Sequence, residues 1–214
     1  MLQDYFVEQI SYQEAMEIVV ANHYLHRKAP CSKAFGLFHS EDPLSCLGVV
    51  CYGVSASSTL LKGVCGVEQA NNVYELTRLW VDDCVPKNGE SFLIGRTLRL
   101  LDKEIVVSFA DSSRGHVGVV YQATNWFYTG LSAKFCDPKV RGLEHQHHAT
   151  YANGLSNRQV IEKFGVENVY FVERPRKHRY VFFNASRKRK AELLSLLRYP
   201  VLPYPKAGVC DDFE

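Results

Sequence analysis

Hydrophobic and polar positions along this chain recur with the periods of helices and strands. Short apolar segments rich in Val, Phe and Tyr and bounded by turn residues are typical of strands. Apolar residues three and four apart after a capping Ser are typical of amphipathic helices. The pattern predicts helices at 11–23, 91–103, 117–126, from 156 onwards and at 186–198, and strands at 35–39, 46–54, 73–81, 105–110, 169–173 and 179–184.

The order of these elements indicates the fold class. Helices and strands alternate, which is typical of an α/β fold, and we expect a mixed central sheet with helices on both faces. No repeat, low-complexity tract or Gly/Ser linker divides the 214 residues, so a single domain over 1–214 is predicted. No apolar segment reaches the roughly 20 residues that cross a bilayer, and the N-terminus lacks the features of a signal peptide. We therefore expect a soluble, cytoplasmic protein.

Composition adds an uneven distribution of charge. Seven cysteines show no CxxC pair, and we expect them to be reduced core thiols. The net charge is only +2, yet eight of the 25 Lys and Arg residues lie between 174 and 190. This basic C-terminal segment, taken as 174–206, either contacts nucleic-acid phosphates or forms a solvated surface. The residues expected to contact nucleic acid are Arg176, Lys177, Arg179, Lys188, Arg189 and Lys190.

Polar residues at the end of the predicted central strand are the first candidates for chemistry. Ligands of open α/β sheets bind at the carboxyl ends of the strands. Ser108 and Asp111 lie at that end of the 105–110 segment, although Asp111 could instead cap the following turn. The next stretch, 116–130, contains two Tyr, an Asn and a Trp, and we predict that it forms part of the same site.

Several motifs resemble known families. NWFYTGL at 125–131 resembles the acceptor-site segment of GNAT acyltransferases, in which a Tyr just before a Gly commonly serves as general acid. Five segments in order resemble the phage Mom family: NHYLHR, YELTRLWVDD, VPKNGESFLIGRTL, SFADSSRGHVGVVYQATNWFYTG and RYPVLPYPK. The resemblance implies a GNAT-like fold and the addition of a carbamoylmethyl group to the exocyclic amine of adenine in DNA.

The resemblance and the chemistry of amine transfer together suggest catalytic roles. The exocyclic amine of adenine is a weak nucleophile, so transfer requires positioning and removal of a proton. Asp111 is expected to accept that proton, with Ser108 beside it. Tyr128 or Tyr121 is expected to protonate the leaving group. The catalytic candidates are completed by two residues expected to line the base pocket, His23 and Tyr24.

Donor binding is expected around Arg78 and the loop at 86–91. Arg78 could bind a phosphate or a developing negative charge, or could simply pair with Glu75 or Asp82. The loop has one glycine where coenzyme A-binding GNAT enzymes usually have Gln/Arg-x-x-Gly-x-Gly/Ala, although a helix N-terminus can still bind an anion. The other donor-binding candidates are Lys87, Asn88, Ser91 and Asn125. The expected donor is an acyl-coenzyme A or an aminoacyl donor such as glycyl-tRNA.

A cluster of histidines raises the question of a metal. His145, His147 and His148 lack an accompanying cysteine pair, and adjacent histidines cannot all face one ion. A solvated loop, phosphate contacts, or an iron or zinc site all fit them. The resemblance to the Mom family leaves iron as a candidate cofactor.

The expected macromolecular partner is double-stranded DNA, with tRNA if the donor is glycyl-tRNA. Chemistry on a stacked base requires that the base is flipped out, and Trp126, Tyr128 and Tyr151 are predicted to stack against it. The predicted function is modification of phage DNA in the cytoplasm of the infected host, which would protect that DNA from restriction. The alternatives are an acyltransferase for a protein or small-molecule amine and a non-catalytic DNA-binding phage protein.

Overall fold

The computed structural model describes residues 2–146 and 148–206, except for the side chains of His148 and Ala149. Its strands are β1 Tyr5–Ile10, β2 Lys33–His39, β3 Gly48–Gly53, β4 Val73–Val81, β5 Ile105–Asp111, β6 Phe127–Leu131, β7 Phe135–Val140, β8 Val169–Arg174 and β9 Lys177–Phe183. Its α-helices are α1 Tyr12–Asn22, α2 Ser58–Cys65, α3 Gly89–Thr97, α4 Val119–Ala123, α5 His148–Ala152, α6 Asn157–Phe164 and α7 Arg187–Leu196. Among the helices so described, none is long and apolar enough to span a bilayer.

The strands form one large sheet and one small one. Seven strands are ordered β1-β2-β3-β4-β5-β9-β6, while β7 and β8 pair separately. Within the large sheet β4 and β5 are parallel and the other neighbours are antiparallel. The expected mixed sheet is therefore confirmed.

Helices cover both faces of the large sheet. Successive residues of a strand point to opposite faces. On β3, Val49 packs with Met16 of α1, and its neighbour Val50 packs in the separate cluster that contains Leu93 of α3. Helices α2 and α7 join a third cluster over β4, β5 and β9. The expectation of helices on both faces is confirmed.

The small sheet has a core of its own. Val140 of β7 and Val169 of β8 pack with Tyr151 of α5 and Val160 of α6. The Tyr151 hydroxyl also donates a hydrogen bond of 2.6 Å to the carbonyl of Pro138 on β7. Tyr151, which was expected to stack on a base, is thus a core residue of this part of the chain.

Some element predictions differ from the structure. The helix expected at 117–126 extends only over Val119–Ala123, because Asn125 adopts a left-handed turn with φ of 60°. The segment after it was expected to be the exit of that helix, but it is strand β6, which pairs with β9. Strands β1 and β7 and helices α2 and α5 were not predicted, because each is short, at five to eight residues.

The parallel pair at the centre of the sheet separates along its length. β4 and β5 are paired only at Val73 with Ile105, Tyr74 with Val106, and Glu75 with Val107. Beyond these residues β4 remains paired with β3, and β5 remains paired with β9. The later residues of β4 and β5 are not joined by ladder hydrogen bonds, so a cleft opens at the carboxyl ends of both strands.

Candidate active site

A cleft of about 960 Å³ lies where β4 and β5 separate. A volume of this size is within the range of small-molecule binding sites. Its walls are residues 75–81 of β4 and 109–111 of β5, the 22–25 loop after α1, and the 114–121 segment leading into α4. The structure thus brings together predicted residues from three distant parts of the chain, around 22–25, 75–81 and 109–121.

Helix α1 positions His23 at the edge of the cleft. The helix begins where Ser11 Oγ accepts a hydrogen bond from the Glu14 N–H at 3.1 Å. It ends before His23, whose ring Nδ1 accepts a hydrogen bond of 3.1 Å from the Leu25 N–H. Burial, with smaller effects of Arg78 and His26, lowers the pKa of His23 to about 4. The ring is therefore neutral at neutral pH, and with Nδ1 as acceptor its proton lies on Nε2.

Tyr24 provides an aromatic surface in the cleft. Its ring is 41% exposed and stacks on the ring of His23 at a centroid distance of 4.4 Å. The Arg114 guanidinium lies 5.3 Å from the Tyr24 ring centroid, and the His116 ring meets it edge-on. Burial and the nearby Asp111 raise the pKa of the Tyr24 phenol. An exposed aromatic ring beside a guanidinium is suited to stacking on a nucleobase.

Asp111 both stabilises a turn and lines the cleft. Its carboxylate accepts hydrogen bonds from the Ser113 N–H at 3.1 Å and the Ser113 hydroxyl at 2.6 Å. The Lys177 ammonium lies 3.9 Å from its other oxygen, because Asp111 and Lys177 are paired residues of the antiparallel strands β5 and β9. The capping interpretation is correct, and it does not remove the carboxylate from the cleft.

Arg78 ties the loop after α1 to the sheet. Its guanidinium donates hydrogen bonds to the backbone carbonyls of Thr77, Arg27 and Lys28 at 2.6 to 3.4 Å. Burial, followed by the charge of Arg27, lowers its pKa. The alternative of an ion pair with Glu75 or Asp82 is not what the described residues show. Arg78 lines the cleft and also fixes the loop that carries His23.

Ser108 and Tyr121 form a buried pair below the cleft. The Ser108 hydroxyl is hydrogen-bonded to the Tyr121 hydroxyl at 2.8 Å and to the Leu76 carbonyl at 3.2 Å. Burial raises the pKa of Tyr121 to about 12. Gly118, just before α4, permits the turn that leads to Tyr121. Its φ is 77°, and a Cβ at this residue would lie 2.4 Å from the Tyr180 ring, so a larger residue would not fit. Tyr121 therefore keeps its proton and is suited to donating a hydrogen bond.

Tyr128 is not part of the cleft lining. It lies on β6, where its ring packs on Tyr180 at 5.2 Å, and Tyr180 in turn packs on Tyr121 at 5.1 Å. Its hydroxyl lies 2.9 Å from Nδ1 of His178. Tyr180 thus stands between Tyr128 and the cleft, and a catalytic role for Tyr128 stays a prediction.

Trp126 and Asn125 also lie outside the cleft. Trp126 is 0% exposed and packs against Tyr121 and Phe182. Because neither face of its indole is open, a flipped base cannot stack on it in this conformation. Asn125 is exposed in the turn between α4 and β6.

The expected donor loop contributes a different residue from those predicted. Lys87 and Asn88 are exposed before α3, and the Ser91 hydroxyl donates to the Asn88 carbonyl at 3.0 Å. The residue of this loop that lines the cleft is Glu90, in the first turn of α3. A carboxylate at that position repels phosphate, so the structure does not support a phosphate cradle there.

The basic segment divides into residues near the cleft and residues far from it. Lys177 lines the cleft, and Arg176 donates to the Ser132 carbonyl at 2.7 Å beside it. Arg179 instead donates to the hydroxyl and carbonyl of Thr129 and lies 3.4 Å from the Tyr199 ring centroid. These contacts direct the Arg179 guanidinium into the protein and away from a phosphate.

The second basic cluster, at the start of α7, is remote from the cleft. Helix α7 follows the end of β9, where Phe183 pairs with Ile105, the first residue of β5. The cleft lies at the last residues of β5, about 20 Å away along a strand of this length. Arg189 is bound to Glu104 at 3.0 Å, and Lys190 lies over the rings of Phe127 and Phe182. Lys188 is exposed at the same end.

Several cleft residues were not singled out from the sequence. These are Glu75, Trp80, Glu90 and Arg114. Arg114 lies three residues after Asp111, so the rule that selected Asp111 could also have selected it. No sequence signal reveals Trp80, because its position depends on where β4 parts from β5.

The metal interpretation is not supported by the part of the chain that the structure describes. His147 and the side chain of His148 lie outside the described residues, and His145 is exposed. Within the described residues, no group of three or more His, Cys, Asp or Glu side chains is arranged to hold a metal ion.

Comparisons with known proteins agree with the expected family. The Mom protein family matches residues 4–206. The methylcarbamoylase mom of Escherichia phage Mu is 32% identical over 219 residues, which cover 94% of this chain and 83% of that protein.

Solved acetyltransferase structures align with this chain at low sequence identity. Arabidopsis thaliana NAA60 in complex with acetyl-CoA aligns with a TM-score of 0.48 and 9% identity, covering 84% of this chain and 99% of that one. An N-acetyltransferase from Staphylococcus aureus Mu50 aligns with a TM-score of 0.46 and 9% identity, covering 86% and 100%.

Proposed function

Because the chain belongs to the Mom protein family, we propose that it is a transferase that adds a carbamoylmethyl-type group to the exocyclic amine of adenine in DNA. One observation carries this proposal for the site: the cleft between β4 and β5 combines a carboxylate, Asp111, with an exposed aromatic ring, Tyr24. These are the groups that removal of an amine proton and binding of a flipped base require.

The residues of the cleft suggest how each step would proceed. The adenine ring stacks on the exposed part of Tyr24, and His23, stacked on Tyr24, holds that ring in place. The amine nitrogen then attacks the donor carbon, so that the N–C bond forms as the bond to the leaving group breaks. The proton released by the amine passes to the Asp111 carboxylate. Tyr121 donates a hydrogen bond to the group that gains negative charge.

The inner edges of β4 and β5 suggest where the donor lies. Beyond Glu75 and Val107 their backbone groups are not paired with each other, and an extended donor arm with amide groups would complement them. An acyl-coenzyme A carries such an arm, which makes it the donor we propose over glycyl-tRNA. Attack of the amine on its thioester carbon breaks the C–S bond, releases the thiol and gives an N-acyl adenine. A glycyl group transferred in this way is an isomer of the carbamoylmethyl group and would become it in a later rearrangement. Its phosphates would lie away from Glu90, outside the wall that α3 provides.

The proposed reaction has a biological consequence. An adenine that carries an additional group on its exocyclic amine presents a changed edge in the major groove. Restriction nucleases that read that edge would no longer cut. We propose that the protein acts in this way on phage DNA in the cytoplasm of the infected bacterium.

Mass spectrometry of nucleosides tests the proposed function. Plasmid DNA co-expressed with the protein should yield a modified adenosine that is absent with an empty vector. Tyr24→Ala should abolish most of this product. Tyr12→Ala is a matched control, since Tyr12 is 50% exposed at the opposite end of α1. DNA without modified adenosine in the presence of folded parent protein would refute the proposal.

A purified assay then tests the donor. Acyl-coenzyme A and glycyl-tRNA are supplied separately to the protein with duplex DNA, and the modified adenosine is quantified. Product with the coenzyme A donor alone is the expected result, and product with glycyl-tRNA alone would reassign the donor side of the cleft.

A further inference from the structure

The small sheet of β7 and β8 is joined directly to the end of the large sheet that carries the cleft. β7 begins four residues after the end of β6, and β8 ends three residues before β9 begins. Lys177, the first residue of β9, lines the cleft, and its N–H donates to Ser132 Oγ in the link between β6 and β7 at 2.9 Å. We call this small sheet the arm, residues 135–140 and 169–174. It starts beside Asp111 and Lys177.

The two faces of the arm differ. Residues alternate between faces along a strand. Val140 and Val169 are on the face that packs against α5 and α6. The other face of the arm carries the alternate residues of both strands. They are paired across the strands as Phe135 with Arg174, Asp137 with Val172, and Lys139 with Tyr170.

This second face combines aromatic rings with cations. Arg174 lies over the ring of Phe135 at 5.1 Å, and Arg141, which follows β7, lies over the ring of Tyr170 at 5.6 Å. Phe135 is 51% exposed. Arg and Lys side chains on an exposed sheet face are suited to contacting the phosphates of nucleic acid.

The charges on this face are unequal. Arg174 Nε donates a hydrogen bond of 2.9 Å to the Asp137 carboxylate, so these two charges offset each other. Lys139 and Arg141 add two positive charges, and neither forms an ion pair with a carboxylate within residues 2–146 and 148–206; one N–H of Arg141 donates to the backbone carbonyl of Glu167 at 3.3 Å. The face therefore complements a polyanion.

We propose that this face of the arm binds the sugar-phosphate backbone of the DNA duplex next to the flipped adenine. The proposal rests on the proposed function, because it takes DNA to be the substrate in the cleft. Two features favour duplex DNA: the excess positive charge, and the direct continuity of the arm with the cleft through Arg176 and Lys177. From Phe135 to Arg141 the face extends about 20 Å, a length that covers about six base pairs.

Salt-dependent binding tests the arm. Each phosphate contact contributes a slope of about 0.9 to the fall of log K with log salt on duplex DNA. The double variant Lys139→Gln/Arg141→Gln of the full chain should lower that slope by about one to two units and weaken binding to all duplex sequences equally. Fluorescence anisotropy with a short labelled duplex at several salt concentrations measures both quantities.

A control pair separates local contacts from net charge. Arg187→Gln/Lys188→Gln removes two exposed charges at the remote start of α7 and should leave the slope unchanged. Lys139→Arg/Arg141→Lys keeps the charges and should restore the parent slope. If Lys139→Gln/Arg141→Gln binds duplex DNA with the parent slope, or weakens binding of tRNA while leaving duplex binding unchanged, the arm is not a DNA-binding surface.

Nucleoside mass spectrometry on the same variants distinguishes the two proposals. If the parent produces modified adenosine and Lys139→Gln/Arg141→Gln keeps the parent salt slope, DNA binding by the arm is refuted and the proposed function stands. A reduced slope in the arm variant without modified adenosine from the parent would refute the proposed function and leave DNA binding by the arm intact.

Discussion

Replacing Asp111 by Asn is the most direct test of the chemistry assigned to the cleft. The amide keeps an oxygen that can accept from the Ser113 N–H, so the turn after β5 should persist. It removes the carboxylate oxygen near Lys177 and, with it, the ability to accept a proton. The variant therefore separates the capping role of Asp111 from its proposed role as a base.

The structural and catalytic effects of this change differ in size. The contact with Lys177 is long, at 3.9 Å, and the two side chains are 16% and 40% exposed. Losing a pair of this kind costs about 1 kcal/mol or less, which lowers the melting temperature of a chain of this length by at most about 4 °C. Losing a general base reduces the rate by about 10² to 10⁴, equivalent to about 2.7 to 5.4 kcal/mol.

The assay is the single-turnover rate of adenosine modification, measured with duplex DNA affinity and melting temperature. Asp111→Asn should lose at least a hundredfold in rate while its DNA affinity stays within about twofold of the parent. Asp102→Asn is the control, since Asp102 accepts from Tyr74 at the opposite end of β5 and its amide can still do so. A parent-like rate for Asp111→Asn would show that Asp111 only caps the turn.

Three further predictions follow from the cleft and from the remote basic cluster. The pKa of His23 is about 4 in the folded chain against 6.5 ordinarily, so the unfolded chain binds more protons between these values. Stability should thus fall as pH drops from 6.5 to 4, and His23→Gln should flatten this fall in denaturant titrations. Tyr24→Phe should keep most of the modification rate, whereas Tyr24→Ala should lose about 1 to 3 kcal/mol of base binding, measured as KM for DNA. Replacing Lys188, Arg189 and Lys190 together by Gln should leave the salt slope of DNA binding unchanged, and a flatter slope would place DNA at α7.

Much of the sheet could be predicted because it depends on local patterns. The buried strand at Ile105–Asp111 is a continuous apolar segment, and the helix at Tyr12–Asn22 begins at a capping Ser. From the strand alone, the end that carries Asp111 could be chosen as the ligand-binding end. His23, Tyr24, Arg78 and Tyr121 were predicted partly through family motifs, and the fold brings all four to the cleft.

Other features of the site could not be predicted, because they depend on tertiary geometry. Tyr128 was selected by a motif in which a Tyr precedes a Gly after a helix, but here that segment is strand β6. Tyr128 lies on this strand, next to β9, and its ring packs on Tyr180. The separation of β4 from β5 after Glu75 is likewise invisible in the sequence, since it requires both strands to favour their outer partners.

The basic segment shows why a count of charges does not locate a surface. Arg176 precedes β9 and Lys177 is its first residue, while Arg187 and Lys188 follow it, so the segment forms one cluster in sequence. A seven-residue strand between them extends about 20 Å, which places the two groups at opposite ends of the sheet. Only the first group, Arg176 and Lys177, lies beside the cleft. The arm comes directly before this group in the chain and is therefore close to the cleft, whereas α7 is separated from it by the full length of β9. A duplex held at the cleft would therefore meet the positive charge of the arm first.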